Sequence, residues 1–176
     1  MEINLFSLPV YIGNIDCQKI ILNNKKFEKT WLSETQSSHN FNNELDVESW
    51  NYLAKIISDL IKPHFNFKYS MVLKAIWENH YKEHDYQDAH IHVGSHLSFI
   101  IYKEITDAKT VFFHPANKLL ESFYMNLDAE IFKREFYPEC KSNQIIVFPS
   151  CLEHMVKKHS TGTTISGNIL MNKLEV

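Results

Sequence analysis

Two fragments of the 176-residue chain carry the residues best suited to chemistry. AHIHVGSHLSFIIY, from Ala89, sets His90 one residue from His92, with His96 close behind, ahead of an apolar run. IIVFPSCLEHMV, from Ile145, places His154 just after another apolar run. Residues i and i+2 of a β-strand share a face, so a strand through His90 and His92 points both imidazoles the same way. Neutral imidazole nitrogen is a good ligand for Fe(II), Zn(II) or Cu(II), and His154 completes a facial set that leaves positions for substrate and oxygen. Ten histidines in a chain of this size also generate an H-x-H by chance, so the spacing alone does not establish a metal site. His96 reads as a solvated turn residue, His80, His84 and His159 as surface, and His114, before Pro115, as structural.

The elements that must position these histidines are mostly strands. From Tyr69 onward the segments YSMVLKAIWEN, HIHV, HLSFIIYKEI, TVFFH, FKREFYP, NQIIVFP, HMVKKHS and TISGNILMN are short and rich in β-branched and aromatic residues. Turn-formers divide them, and one insertion, ANKLLESFYMN, is more helical. Upstream, INLFSLPVYI reads as a strand whose Pro9 suits a sheet edge, DCQKIILNNKKFEKTW as a short helix, and QSSHNFNNELD as a long loop. Trp50, Leu53, Ile57, Leu60 and Ile61 recur at helical spacing, Asp46 can cap that helix, and Pro63 stops it. The expected fold is mainly β with flanking helices, a double-layered jelly roll or cupin-like barrel. One domain, 1–176, is expected, with the barrel from about 69 to 176 and an N-terminal strand and helices over 1–68.

A formal net charge of −3 gives no global reason to expect nucleic-acid binding. Cys17, Cys140 and Cys151 are odd in number and unpaired in spacing, which suits small core residues in a reducing compartment. MEINLFSLPVYIGN lacks a basic region and a long apolar core, and no apolar run is long enough for a bilayer, so the expectation is a cytoplasmic protein without a membrane partner.

The same stretches resemble the 2-oxoglutarate/Fe(II)-dependent oxygenases common in phage and marine bacterial genomes, relatives of the prolyl hydroxylases. NLFSLPVYIGNID resembles the family's opening, WEN from Trp77 its W-x-N, and HIHVGSHLSFIIY its H-x-H with a serine-containing strand. TVFFHP resembles its F-x-x-P, IIVFPSCLEHMV its F-P-S-x-L-x-H-x-V, and TISGNILMN its closing R-I-S and asparagine. The FPS-to-His block is the most specific of these.

The resemblance implies a double-stranded β-helix, Fe(II), 2-oxoglutarate as co-substrate, O2, and hydroxylation of a C–H bond in a small molecule or peptide side chain that the sequence does not identify. It makes His90 and His154 two of the metal ligands, with His92 where such oxygenases carry an aspartate. Asp88, which shares their strand face, is the alternative third ligand. Ser98, Tyr102, Thr164, Ser166 and Asn79 become the candidate co-substrate contacts. Thr164 stands where the family has an arginine, so 2-oxoglutarate is expected to bind more weakly than in arginine-containing relatives. Lys103 or Lys74 are the cations within reach along the strands, and Arg134, the single arginine, falls on an expected outer strand. Two other readings stay open: a three-histidine cupin-like dioxygenase that needs no keto acid, and a non-catalytic barrel with a vestigial site.

Overall fold

The computed structural model describes residues 8–23, 25–30, 35–107, 110–118, 133–158 and 161–174. The N-terminal strand is β1 (Tyr11–Asn14), and four two-residue strands follow: β2 (Leu22–Asn23), β3 (Glu28–Lys29), β4 (Gln36–Ser37) and β5 (Glu44–Leu45). The helix α1 (Val47–Ile61) leads into β6 (Tyr69–Tyr81), β7 (Gln87–His90), β8 (Leu97–Asp107) and β9 (Thr110–Phe113). The last strands are β10 (Glu135–Phe136), β11 (Gln144–Pro149), β12 (His154–Val156) and β13 (Thr161–Lys173).

These strands make two antiparallel layers. The larger sheet runs β1-β11-β8-β13-β6-β4-β3, the smaller β10-β9-β12-β7, and β2 pairs with β5 apart from both. This is the expected jelly roll, and each of the eight segments read as strands from Tyr69 onward overlaps a strand, HIHV only at His90, the last residue of β7. Strand alternation decides what each face of the larger sheet covers. Phe99, Ile101, Ile145, Val147, Ile165 and Ile169 cluster on the helix side. Ile100, Tyr102, Ile146 and Phe148 turn toward the smaller sheet and meet Phe112 there.

The helix matches the expected boundaries. Asp46 accepts a hydrogen bond from the Ser49 N–H at 2.8 Å, and Pro63 lies in the 3-10 turn that ends the run. Leu53, Ile57 and Ile61, spaced by four, are fully buried against the sheet. Burial of such side chains stabilises the fold by about 1.5–3 kcal/mol each.

Three upstream expectations change. The short helix expected over DCQKIILNNKKFEKTW is a single 3-10 turn, Cys17–Lys19, followed by β2 and β3. Ile20, Ile21 and Leu22 are consecutive rather than spaced by three or four, so they give a helix no continuous apolar face. The loop expected over QSSHNFNNELD holds β4 and β5, with β4 pairing to β6. Cys17 is buried and Cys140 half-buried, but Cys151 is exposed, on the turn after β11. Residues 1–7, Trp31, most of ANKLLESFYMN and His159 lie outside the described residues.

Candidate metal centre

His90 closes β7 and His154 opens β12, and the two residues are paired across the smaller sheet. Paired residues of an antiparallel ladder project to the same side, which brings their ring centroids to 4.4 Å. His92 arrives differently from the expectation of a shared strand. It lies two residues beyond the end of β7, where alternation no longer applies. Its backbone N–H instead donates to the Ser150 carbonyl at 2.9 Å, tying it to the turn that precedes His154. The chain then turns back through Gly94, whose φ of 74° lies in the left-handed region open to glycine. His92 stands 5.0 Å from His90 and 5.1 Å from His154, ring centre to ring centre.

One ligating nitrogen from each of the three imidazoles lies within 4.8 Å of the others. Three nitrogens bound facially to one ion at about 2 Å each lie about 3 Å apart, so closing the set takes up to about 2 Å of side-chain adjustment. The donor chemistry fits a dication. Nδ1 of His90 faces the Asp88 carbonyl at 2.6 Å, and Nδ1 of His154 faces the Leu152 carbonyl at 3.0 Å. A carbonyl only accepts, so each Nδ1 carries the proton and Nε2 of the neutral ring keeps its lone pair for a metal. Burial drives the His92 pKa down to about 4 and the His154 pKa to about 3, and lowers that of His90 as well. Near neutral pH all three rings are therefore unprotonated. The Asp88 carboxylate, the alternative ligand, is outside this group; Asp88 is exposed and contributes its carbonyl to His90.

A cavity open at its mouth runs inward from the histidines between the two sheets. Trp77, Ile100, Ile105, Phe148 and Val156 form its apolar wall. Its polar lining consists of Tyr81, Gln87, Tyr102, Thr110, Thr161, Thr164 and Ser166 besides the histidines. Among the sequence-derived co-substrate candidates, Tyr102, Thr164 and Ser166 thus face the cavity, whereas Ser98 and Asn79 do not line it. The Ser98 hydroxyl bridges Ser150 and Asn168, each at 2.8 Å, and the Asn168 amide reaches the His92 ring at 3.5 Å. Asn79 accepts from Ser37 at 2.7 Å and contacts Thr164 and Ser166 at 3.5 Å. The expected cations are elsewhere: Lys103 lies 3.6 Å from Glu78, Lys74 donates to the Gly94 carbonyl at 2.7 Å, and Arg134 is exposed beside β10.

Tyr81 and Gln87 are cavity residues that sequence reasoning missed. Tyr81 shares a strand face with Trp77 and Asn79 by even spacing, so periodicity alone exposes it. Gln87 sits three residues before His90, which alternation would place on the opposite face. The register shift between His154 and Val156 cancels that offset, because three residues on β7 span two on β12.

The comparisons with known proteins fit this geometry. The family profile described as "Putative 2OG-Fe(II) oxygenase" matches residues 75–166, just over half of the chain, from β6 into β13. An oxidoreductase of the 2OG-Fe(II) oxygenase family from Burkholderia pseudomallei, known from its crystal structure, superposes with a TM-score of 0.51. That likeness covers 84% of this chain and 72% of the other at 11% identity, so it speaks for the fold. No curated protein matches the chain. No helix among the described residues is long and apolar enough to cross a membrane. With the profile spanning the histidine-bearing strands and the jelly roll beneath them, the chain belongs to the 2OG-Fe(II) oxygenase family: it is an oxidoreductase that works with Fe(II) and 2-oxoglutarate.

Proposed function

We propose that the protein hydroxylates a C–H bond of a small molecule or a peptide side chain, with Fe(II) held by His90, His92 and His154. The observation that carries this reading is the convergence of three neutral imidazoles at one end of a cavity otherwise lined by uncharged residues. When bound, Fe(II) and 2-oxoglutarate supply the activation of O2, with the keto acid oxidised to succinate and CO2. The chain supplies position and exclusion. The Asp88 and Leu152 carbonyls orient two of the ligands, and Ser150 with Asn168 holds the third. Trp77, Ile100, Phe148 and Val156 keep bulk water from the reacting end, which strengthens every polar contact inside. Tyr102, Thr164 and Ser166 offer hydroxyls to the co-substrate. The Tyr102 and Tyr81 hydroxyls keep their protons, because burial pushes both pKa values well up.

Residues 1–176 are read as one domain, with β1 and β4 as strands of the larger sheet. Three free cysteines support a cytoplasmic setting. The test is succinate formation and oxygen uptake by the Fe(II)-loaded protein, with and without 2-oxoglutarate. Succinate that requires both iron and the keto acid, and disappears in His154→Ala, is the expected result. Substrate-dependent oxygen uptake indifferent to 2-oxoglutarate would instead support the three-histidine dioxygenase.

A further inference from the structure

The inner end of the cavity poses a problem of charge. Apart from the three histidines, every residue that lines the cavity is of an uncharged type, so no lysine or arginine there meets a carboxylate. Two pairs of its hydroxyls are bonded to each other. The Tyr102 hydroxyl donates to the Thr110 Oγ1 at 2.8 Å, and Tyr81 is bonded to Thr164.

One buried polar atom of this lining has no partner at all. Gln87 is 6% exposed, and its Nε2 is a buried polar atom without a hydrogen-bond partner. Among the described residues three other buried side-chain atoms share that condition, in Asn43, Ser95 and Asn117, and none of those residues lines the cavity. A buried amide donor left unpaired is unfavourable, and such groups in native proteins usually meet a ligand or water. Its place suits a ligand that begins at the metal. Gln87 pairs with Val156 where His90 pairs with His154, two residues further along β12. That step is about 6–7 Å of strand, comparable with an extended five-carbon chain. Val156 in turn pairs with Thr110, so Gln87 and the Tyr102–Thr110 pair flank the same inner end from opposite sides.

We infer that the Gln87 side-chain amide holds the far carboxylate of the 2-oxo acid co-substrate, the end remote from the metal. The inference rests on the Fe(II)/2-oxoglutarate reading above and adds the residue that makes the site selective for a dicarboxylate. A neutral amide donating to a carboxylate needs no local cation, since the bound metal supplies the compensating charge.

The test is calorimetric titration of Fe(II)-loaded protein, kept free of O2, with 2-oxoglutarate and with 2-oxopentanoate, which has the same carbon chain without the far carboxylate. Wild type is expected to bind 2-oxoglutarate more tightly. Gln87→Leu should weaken 2-oxoglutarate by about ten- to a hundredfold while 2-oxopentanoate changes by no more than about threefold. Gln87→Glu keeps the side-chain shape, sets a carboxylate against the ligand's, and should produce the same selective loss. It carries the test if the leucine variant does not fold. Equal weakening of both ligands, or no change in either, overturns the inference by making Gln87 a structural residue. Wild type binding the two acids equally overturns it too and leaves the functional reading standing, whereas wild type binding neither overturns both.

Discussion

Lowering the pH of the metal-free protein from 7.5 to 5.0 tests the histidine cluster without any assumption about substrate. In an unfolded chain a histidine titrates near 6.5, whereas in the fold burial holds His92 at about 4 and His154 at about 3. The folded values lie below the unfolded ones, so the unfolded state binds more protons as the pH falls through 6.5. The histidines thus cost nothing above about pH 7, and the penalty grows until the folded rings themselves protonate near pH 3–4. At pH 5.0 the unfolded rings are about 1.5 units past their midpoint and the folded rings are still neutral. Each histidine then removes about 2 kcal/mol, and the pair about 4 kcal/mol. That is a large part of the roughly 5–15 kcal/mol by which domains are stable. Asp46, held below the ordinary carboxylate range first by the Ser49 N–H, loses its contribution only as the pH falls below about 4, outside this window. Urea unfolding of chelator-treated protein at the two pH values reads the difference, with the slope of the transition checked for constancy. His154→Leu should remove about half of the pH dependence, and saturating Fe(II) should restore stability at pH 5 by competing with protons. Metal-free wild type equally stable at both pH values, within about 0.5 kcal/mol, would refute the claim that these rings are desolvated together.

Two further outcomes are expected. Gly167→Ala should destabilise the fold by about 1–3 kcal/mol in urea, because its Cβ would lie 2.4 Å from the Phe99 ring and 2.7 Å from the Ala75 carbonyl, and Phe99 is itself 1% exposed. His92→Asp should weaken 2-oxoglutarate binding to the metal-loaded protein by about tenfold or more, and adding Thr164→Arg should recover most of it; titration of the single and double variants measures the coupling.

The parts of this molecule that follow from local rules were legible in the sequence. The helix needed only an Asp46 cap, a four-residue apolar repeat and Pro63, and it stands where those residues put it. The strands from Tyr69 onward announce themselves by β-branched residues between turn-formers. The two-residue strands β2 to β5 were hidden, because segments that short carry no period and form only where a neighbour pairs with them. At the centre, alternation named His90 and His92 together, yet His92 reaches its place by a backbone bond to Ser150, a contact across 58 residues. Gln87 was hidden for a related reason: a bulge reverses the face that counting assigns to it, and bulges leave no reliable mark in a single sequence.

Two features that look like separate defects of the proposed site belong together. By the resemblance drawn from the sequence, His92 falls where such oxygenases carry an aspartate, and Thr164 where they carry an arginine. With an aspartate among the ligands, iron presents one net positive charge to a dianionic co-substrate, and the arginine supplies the second. With three neutral imidazoles the iron keeps both charges, and the wall of the cavity supplies none. Either arrangement leaves the filled site neutral, which matters because a net charge in a buried cavity carries a large desolvation cost. The magnitudes are also comparable. At an effective dielectric near 20, the unit of charge that His92 leaves on the metal acts on a carboxylate about 7 Å away with about 2 kcal/mol. Exchanging a charge-assisted hydrogen bond for a neutral one forfeits about 0.5–2 kcal/mol. Replacing the arginine removes the local cation, replacing the aspartate leaves the iron's charge uncancelled, and the two changes oppose each other with similar strength.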